Sequence, residues 1–248
     1  MRHGLSFACN GARLAATLDR APGSTGLLIV TGGRQTRVGP HRLMSELARS
    51  VAIAGFPVLR FDRRGIGDSE GDDPGYRGSG PDIAAAAAAL RAACPHVAHI
   101  VGLGLCDAAT ALALHGQASG LDALILLNPW VVEAEAGVPP PAAVRAYYRD
   151  RLLSLDGWRR LLTRGVSIKG LLRAISKTDQ SLADDVKASL QLPATALIAE
   201  HDGTARAFLD QFSDDDMRII RRASASHSFA GPGDAAWLLD QVIAILKI

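Results

Sequence analysis

The stretch Val101-Gly-Leu-Gly-Leu-Cys-Asp-Ala-Ala109 decides how this chain folds. An apolar run breaks into glycines, meets a cysteine and continues into helix-forming residues. The pattern predicts a strand, a tight turn and a helix, with Cys106 at the apex. That is the layout of a nucleophile elbow, Gly-x-Ser-x-Gly, in which the turn lifts the nucleophile above the sheet. Gly104 takes the first small position, Cys106 the nucleophile position and Ala108 the second small position. Small residues are needed there because strand and helix pass close to each other on either side of the turn.

Working outward, strands and helices alternate. Residues 26–31 read as a buried strand ending in Gly32-Gly33, and 42–54 as a helix with Leu43, Leu47, Val51 and Ala54 on one face. A strand at 57–61 leads into a polar, glycine-rich loop, and Pro81-Asp82 opens an alanine-rich helix to Ala93. After the elbow come a helix at 107–117 and a strand at 121–128. The alternation resumes with a strand at 194–199, a helix at 205–212, a strand at 217–221 and a helix at 234–246. At the start, runs at 5–9 and 13–18 flank Asn10-Gly11, a strong hairpin signal. This arrangement predicts an α/β fold, a mainly parallel sheet flanked by helices. Residues from about 129 to 190 break the pattern and read as a helical cap insertion within a single domain, 1–248.

A thiol nucleophile needs a base, and the base needs a partner that orients it. In the elbow architecture the chain order is nucleophile, acid, histidine. Asp202 follows the 194–199 strand in a turn closed by Gly203, and His227 sits in a polar loop before the last helix. The expected triad is Cys106, Asp202 and His227. Glu200, His201 and Glu133 stand as rivals for the acid. Asp107 is not the nucleophile, because that would shift the elbow by one and put Leu105 where glycine belongs. Its backbone N–H is the first expected oxyanion donor, and Gly33 or Arg34 N–H, after the third strand, is the second. Cys9 and Cys94 read as small buried hydrophobes.

Composition narrows the function. The chain has 248 residues, nearly half of them apolar, and a net charge of only +2, which argues against general nucleic-acid binding. Three cysteines are neither a disulfide framework nor a zinc set, and neither cofactor nor metal is called for. No signal peptide or membrane-spanning run is visible, so the expected location is cytoplasmic.

The loop Phe61-Asp-Arg-Arg-Gly-Ile-Gly-Asp-Ser-Glu-Gly71 resembles the Asp-x-Arg-Gly-x-Gly-x-Ser-x-Gly loop of α/β-hydrolases, matching at Asp62, Arg64, Gly65, Gly67, Ser69 and Gly71. Within that superfamily the chain is similar to the exosortase A system-associated hydrolases (type 1). The matching segments are Thr31-Gly-Gly-Arg-Gln-Thr-Arg-Val-Gly39, the Gly-Leu-Cys-Asp-Ala elbow and Leu127-Asn-Pro-Trp130. The resemblance spans nearly the whole chain and implies an α/β-hydrolase fold and a bacterial cytoplasmic hydrolase. It says little about the substrate. Cysteine replaces serine, Ala108 replaces glycine and Thr31 replaces histidine. Cysteine triads occur on this fold in dienelactone hydrolases.

The expected reaction is cleavage of a carboxylic ester or thioester through an acyl-cysteine. Alternatives are an acyltransferase using the same intermediate and a catalytically silent binding protein on the same fold. Between Arg145 and Lys177, nine basic residues face only Asp150 and Asp156, with leucines and Trp158 between them. This reads either as a solvated cap face or as a basic mouth over an apolar pocket. The second favours an anionic acyl donor, such as an acyl-carrier protein or acyl-CoA, or an anionic membrane surface. Arg37, Trp130 and Trp158 are the substrate-binding candidates, with Arg34 and Arg42 adding positive charge nearby.

Overall fold

The computed structural model describes residues 2–132 and 179–247, with side chains from 182 onward in the second segment. The 145–177 basic segment, Trp158 and Glu133 lie outside the described residues. Eight strands form one sheet in the order β1-β2-β4-β3-β5-β6-β7-β8. β1 (Arg2–Cys9) and β2 (Ala12–Asp19) are an antiparallel hairpin, closed by Asn10 and Gly11 at φ 48° and 79°. Two positive φ values in a two-residue loop give the turn whose twist matches paired strands. β2 lies antiparallel to β4 (Val58–Phe61). All further pairings are parallel: β3 (Thr25–Val30), β5 (His99–Leu105), β6 (Ala123–Leu127), β7 (Ala194–Ala199) and β8 (Arg218–Arg222).

Helices cover both faces, as a parallel sheet requires. On one side α1 (Leu43–Ile53) and the final helix α6 (Asp234–Leu246) bury Leu47, Val51, Leu238 and Val242 against β3 to β7. On the other lie α2 (Gly80–Ala93), α3 (Asp107–His115), α4 (Asp179–Ser189) and α5 (Gly203–Leu209). The alanine run of α2 packs Ala86 and Ala87 against the sheet with no exposure. Helix α4 belongs to this layer too: Leu182, Ala183 and Val186 are buried in the same core cluster. The interval 129–190, read as cap, therefore ends in a core helix.

Sheet order locates the functional crevice. After β4 the chain crosses β3 to form β5, so the strand order reverses between β3 and β5. In open parallel sheets, ligands bind at such a switch point, beyond the carboxyl ends of the strands. Those ends carry the loop 31–42 and Cys106.

Candidate active site

Cys106 takes φ 60° and ψ −124° between β5 and α3, a left-handed backbone for a residue with a side chain. Strain of this kind persists only where surrounding structure fixes it. Here the Cys106 N–H donates to the Leu127 carbonyl at 2.9 Å, and its own carbonyl accepts from Ala109 at 3.1 Å and Trp130 at 3.3 Å. The close crossing expected at Gly104 is present: a Cβ there would lie 2.6 Å from the carbonyl carbon of Ala108. Cys106 is half-buried, whereas Cys9 and Cys94 are buried. Burial, and then the nearby Asp82, push the Cys9 thiol up to about 11; burial also raises Cys94.

Asp202 and His227 come from different turns and meet. Asp202 caps α5, its carboxylate accepting from Ala205 N–H at 3.0 Å, and Oδ2 lies 2.9 Å from His227 Nδ1. Burial works against the Asp202 charge, but hydrogen bonds from His227 and the α5 backbone outweigh it and hold the carboxyl below its ordinary value. His227 is pushed up from 6.5 to about 10. The hydrogen bond with Asp202 contributes most, the neighbouring Cys106 next, and burial opposes both. Asp202 and His227 are thus hydrogen-bonded to each other, with Cys106 near enough to His227 to favour its charged form. Glu200 and His201 are adjacent in sequence, but the acid on His227 is Asp202.

The histidine loop is held in ways the sequence did not advertise. Asn128, fully buried, donates from Nδ2 to the His227 carbonyl and accepts from Ala199 N–H at Oδ1, both at 2.8 Å. One amide therefore ties the ends of β6 and β7 to the His227 loop. The signal was Asn128-Pro129 at a strand end. Asp234, at the start of α6, accepts from Ser224 Oγ and Arg222 Nε, and buried Phe229 stacks on Trp237.

Two expected roles fall on groups that already have partners within the chain. Gly33 N–H donates to both oxygens of the Asp107 carboxylate, at 2.8 and 2.9 Å, so that donor is already engaged. Arg34 N–H has no hydrogen-bond partner among the described residues. Arg37, an expected substrate contact, already has partners within the chain: its guanidinium pairs with fully buried Asp62, reaches Asp68 at 2.9 Å and donates to Thr17 Oγ1 at 3.1 Å. The match to Asp-x-Arg-Gly explains why, since Asp62 needs a cation in the dry interior. Asp62 also accepts from Asp68 N–H, while Ser69 Oγ donates to its carbonyl and accepts from Ala15 N–H, which fixes the loop. Arg42 is paired with Glu46.

Trp130 remains beside the elbow, its N–H on the Cys106 carbonyl and its ring 6.3 Å from Tyr76. A hollow lined by Arg2, Asp19, Arg20, Arg42, Glu46 and Arg49 lies along α1 and contains none of Cys106, His227 and Asp202.

No family model matches the sequence, and no curated protein does. Solved structures do match in fold. An esterase of Pyrococcus furiosus superposes with a TM-score of 0.69 at 13% identity, covering 100% of this chain and 90% of that one. The α/β-hydrolase GrgF from Penicillium matches at TM-score 0.67 and 18% identity, covering 100% and 98%. Est1E from Butyrivibrio proteoclasticus, solved with ferulic acid bound, matches at 0.61 and 16%, covering 98% and 96%. The chain therefore has the α/β-hydrolase fold. Among the described residues, no helix is long and apolar enough to cross a membrane.

Proposed function

We propose that this protein is a hydrolase of carboxylic esters or thioesters that works through an acyl-cysteine. One observation carries the reading: Cys106 stands strained at the apex of an elbow, with His227, held at Nδ1 by the half-buried Asp202, close enough for the two to be coupled. The likeness in fold to esterases adds support. So does the resemblance of the elbow and the Thr31-Gly-Gly-Arg34 loop to exosortase A system-associated hydrolases.

The Cys106 thiolate attacks the acyl carbon, and the carbonyl electron pair moves onto oxygen. His227, carrying the thiol proton on the ring nitrogen away from Asp202, gives it to the departing alkoxide or thiolate as the acyl–oxygen or acyl–sulfur bond breaks. Water then loses a proton to His227, attacks the thioester and releases the acid, returning Cys106. Asp202 keeps the ring in the productive tautomer. The N–H groups of Asp107 and Arg34 face the developing oxyanion, a contribution of roughly 3–4 kcal/mol per donor in comparable sites. An anionic acyl carrier remains the proposed partner through the 145–177 segment and Arg34, without help from Arg37.

The test is intact-protein mass after brief mixing with a short acyl thioester or p-nitrophenyl ester, with iodoacetamide labelling in parallel. A transient acyl adduct that disappears in Cys106→Ala, and labelling of Cys106 ahead of Cys9 and Cys94, is the expected result. No adduct, no turnover and equal labelling of all three thiols refute it.

A further inference from the structure

Arg63 is almost completely buried, 2% exposed, yet no carboxylate among the described residues comes closer to it than Asp73 at 4.0 Å. Its neighbour Arg64 behaves conventionally, binding the Asp82 carboxylate through Nε and through its backbone N–H. Arg63 instead spends its guanidinium on neutral oxygens. Nη1 donates to Ser79 Oγ at 2.9 Å, and Nη2 donates to the Gly33 carbonyl at 2.6 Å. Ser79 is in turn fixed by donating to the Gly75 carbonyl. A buried cation without a tight counter-ion is costly. Its location beside the oxyanion loop gives that cost a purpose.

We propose that Arg63 is a positioning residue for acyl transfer: by holding the Gly33 carbonyl, it aims the Arg34 N–H toward Cys106 as the second oxyanion donor. The proposal rests on the acyl-cysteine reading above. The sheet order supplies the geometry. Arg63 follows β4 on one side of β3, and Cys106 and Asp107 follow β5 on the other. Gly33, after β3, is gripped from both: its N–H by Asp107 and its carbonyl by Arg63. In a trans peptide the N–H points opposite the carbonyl. With the Gly33 carbonyl drawn toward the β4 side, the Arg34 N–H turns toward the β5 side, where Cys106 stands. Gly33 sits at φ 53°, and a left-handed residue of this kind brings successive N–H groups onto one side as an anion-binding nest. Asp107 takes the first N–H of that pair and leaves the second open. The Arg63 charge also polarises the Gly33–Arg34 peptide, making its N–H a stronger donor.

The test compares wild type, Arg63→Lys and Arg63→Gln in two reactions of Cys106. Acylation by p-nitrophenyl butyrate develops an oxyanion; alkylation by iodoacetamide does not. Arg63→Gln lowers kcat by about 10–100-fold, less than outright removal of a donor, with KM little changed. Its alkylation rate stays within about twofold of wild type, and Arg63→Lys recovers part of the loss. A second measurement needs no variant. Butyraldehyde forms a hemithioacetal on Cys106, and in wild type the Arg34 amide proton then moves downfield in the NMR spectrum. The proposal is overturned if folded Arg63→Gln keeps its kcat, if acylation and alkylation fall together, or if the Arg34 amide does not respond. A wild type that forms no acyl adduct overturns the acyl-cysteine reading itself, and with it this inference.

Discussion

Asp202 does two jobs with one carboxylate, and substitutions can separate them. It caps α5 through Ala205 N–H and holds His227 Nδ1 at 2.9 Å. Asparagine caps a helix about as well as aspartate, so Asp202→Asn keeps the first role and removes the charge needed for the second. A hydrogen bond to a charged group contributes about 1.5–3 kcal/mol, and one pKa unit is 1.36 kcal/mol. The His227 side chain is 37% exposed, so solvent screening favours the low end. The imidazole, at about 10 in the wild type, should then fall by about one unit in Asp202→Asn. NMR titration of His227, assigned with His227→Gln, reads this directly. Activity should drop by two to four orders of magnitude, as expected when a triad loses its orienting charge.

Asp202→Ala loses the cap as well, about 1 kcal/mol more, which lowers Tm by about 2–4 °C relative to the asparagine variant. The pH dependence has a definite sign. A raised imidazole contributes stability that is fully present below about 6.5 and fades as the pH climbs through about 10. The Tm advantage of wild type over Asp202→Asn should therefore hold to about pH 9 and shrink as the pH climbs through about 10. If Asp202→Asn leaves the His227 titration and the activity unchanged while Glu200→Gln abolishes activity, the acid has been misassigned and the reasoning from geometry fails.

Two further outcomes follow from packing. Gly104→Ala puts a Cβ 2.6 Å from the Ala108 carbonyl carbon and 2.8 Å from Ala109 N, backbone atoms that cannot swing aside. It should cost about 1–3 kcal/mol and slow Cys106 alkylation, measured by thermal unfolding and labelling rate; an unchanged rate would mean the elbow tolerates a wider crossing. Arg37→Ala strands the buried Asp62 charge and should cost about 3–5 kcal/mol. A Tm near wild type, with weaker use of an acyl-CoA substrate, would restore Arg37 as a substrate residue.

The elements were legible because their signals are local. The Asn10-Gly11 turn, the helical spacing of Leu43, Leu47 and Val51, and the Gly104-x-Cys106-x-Ala108 elbow each declare themselves within a dozen residues. Chain order then placed Asp202 and His227. Errors at element ends have physical causes. β1 starts at Arg2 because pairing with Asp19 extends the hairpin through polar residues that carry no apolar alternation. Helix α5 starts at Gly203 because the Asp202 cap, not the first apolar residue, sets its beginning.

What stayed hidden is the pairing between distant polar groups. Arg37 with Asp62, Gly33 with Asp107 and Asn128 with His227 are separated by 25, 74 and 99 residues. Nothing near any of these residues distinguishes a guanidinium that meets substrate from one that neutralises a buried carboxylate. Basic residues beside an expected oxyanion loop therefore looked like substrate contacts, whereas Arg37 pairs with Asp62 at the end of β4. The same geometry turns an unremarked arginine into a stronger candidate. Arg63, inside a loop that was read as shaping the sheet edge, is the residue whose guanidinium reaches the Gly33 carbonyl. Charge near a site can be counted from sequence, but its work depends on which partner reaches it first.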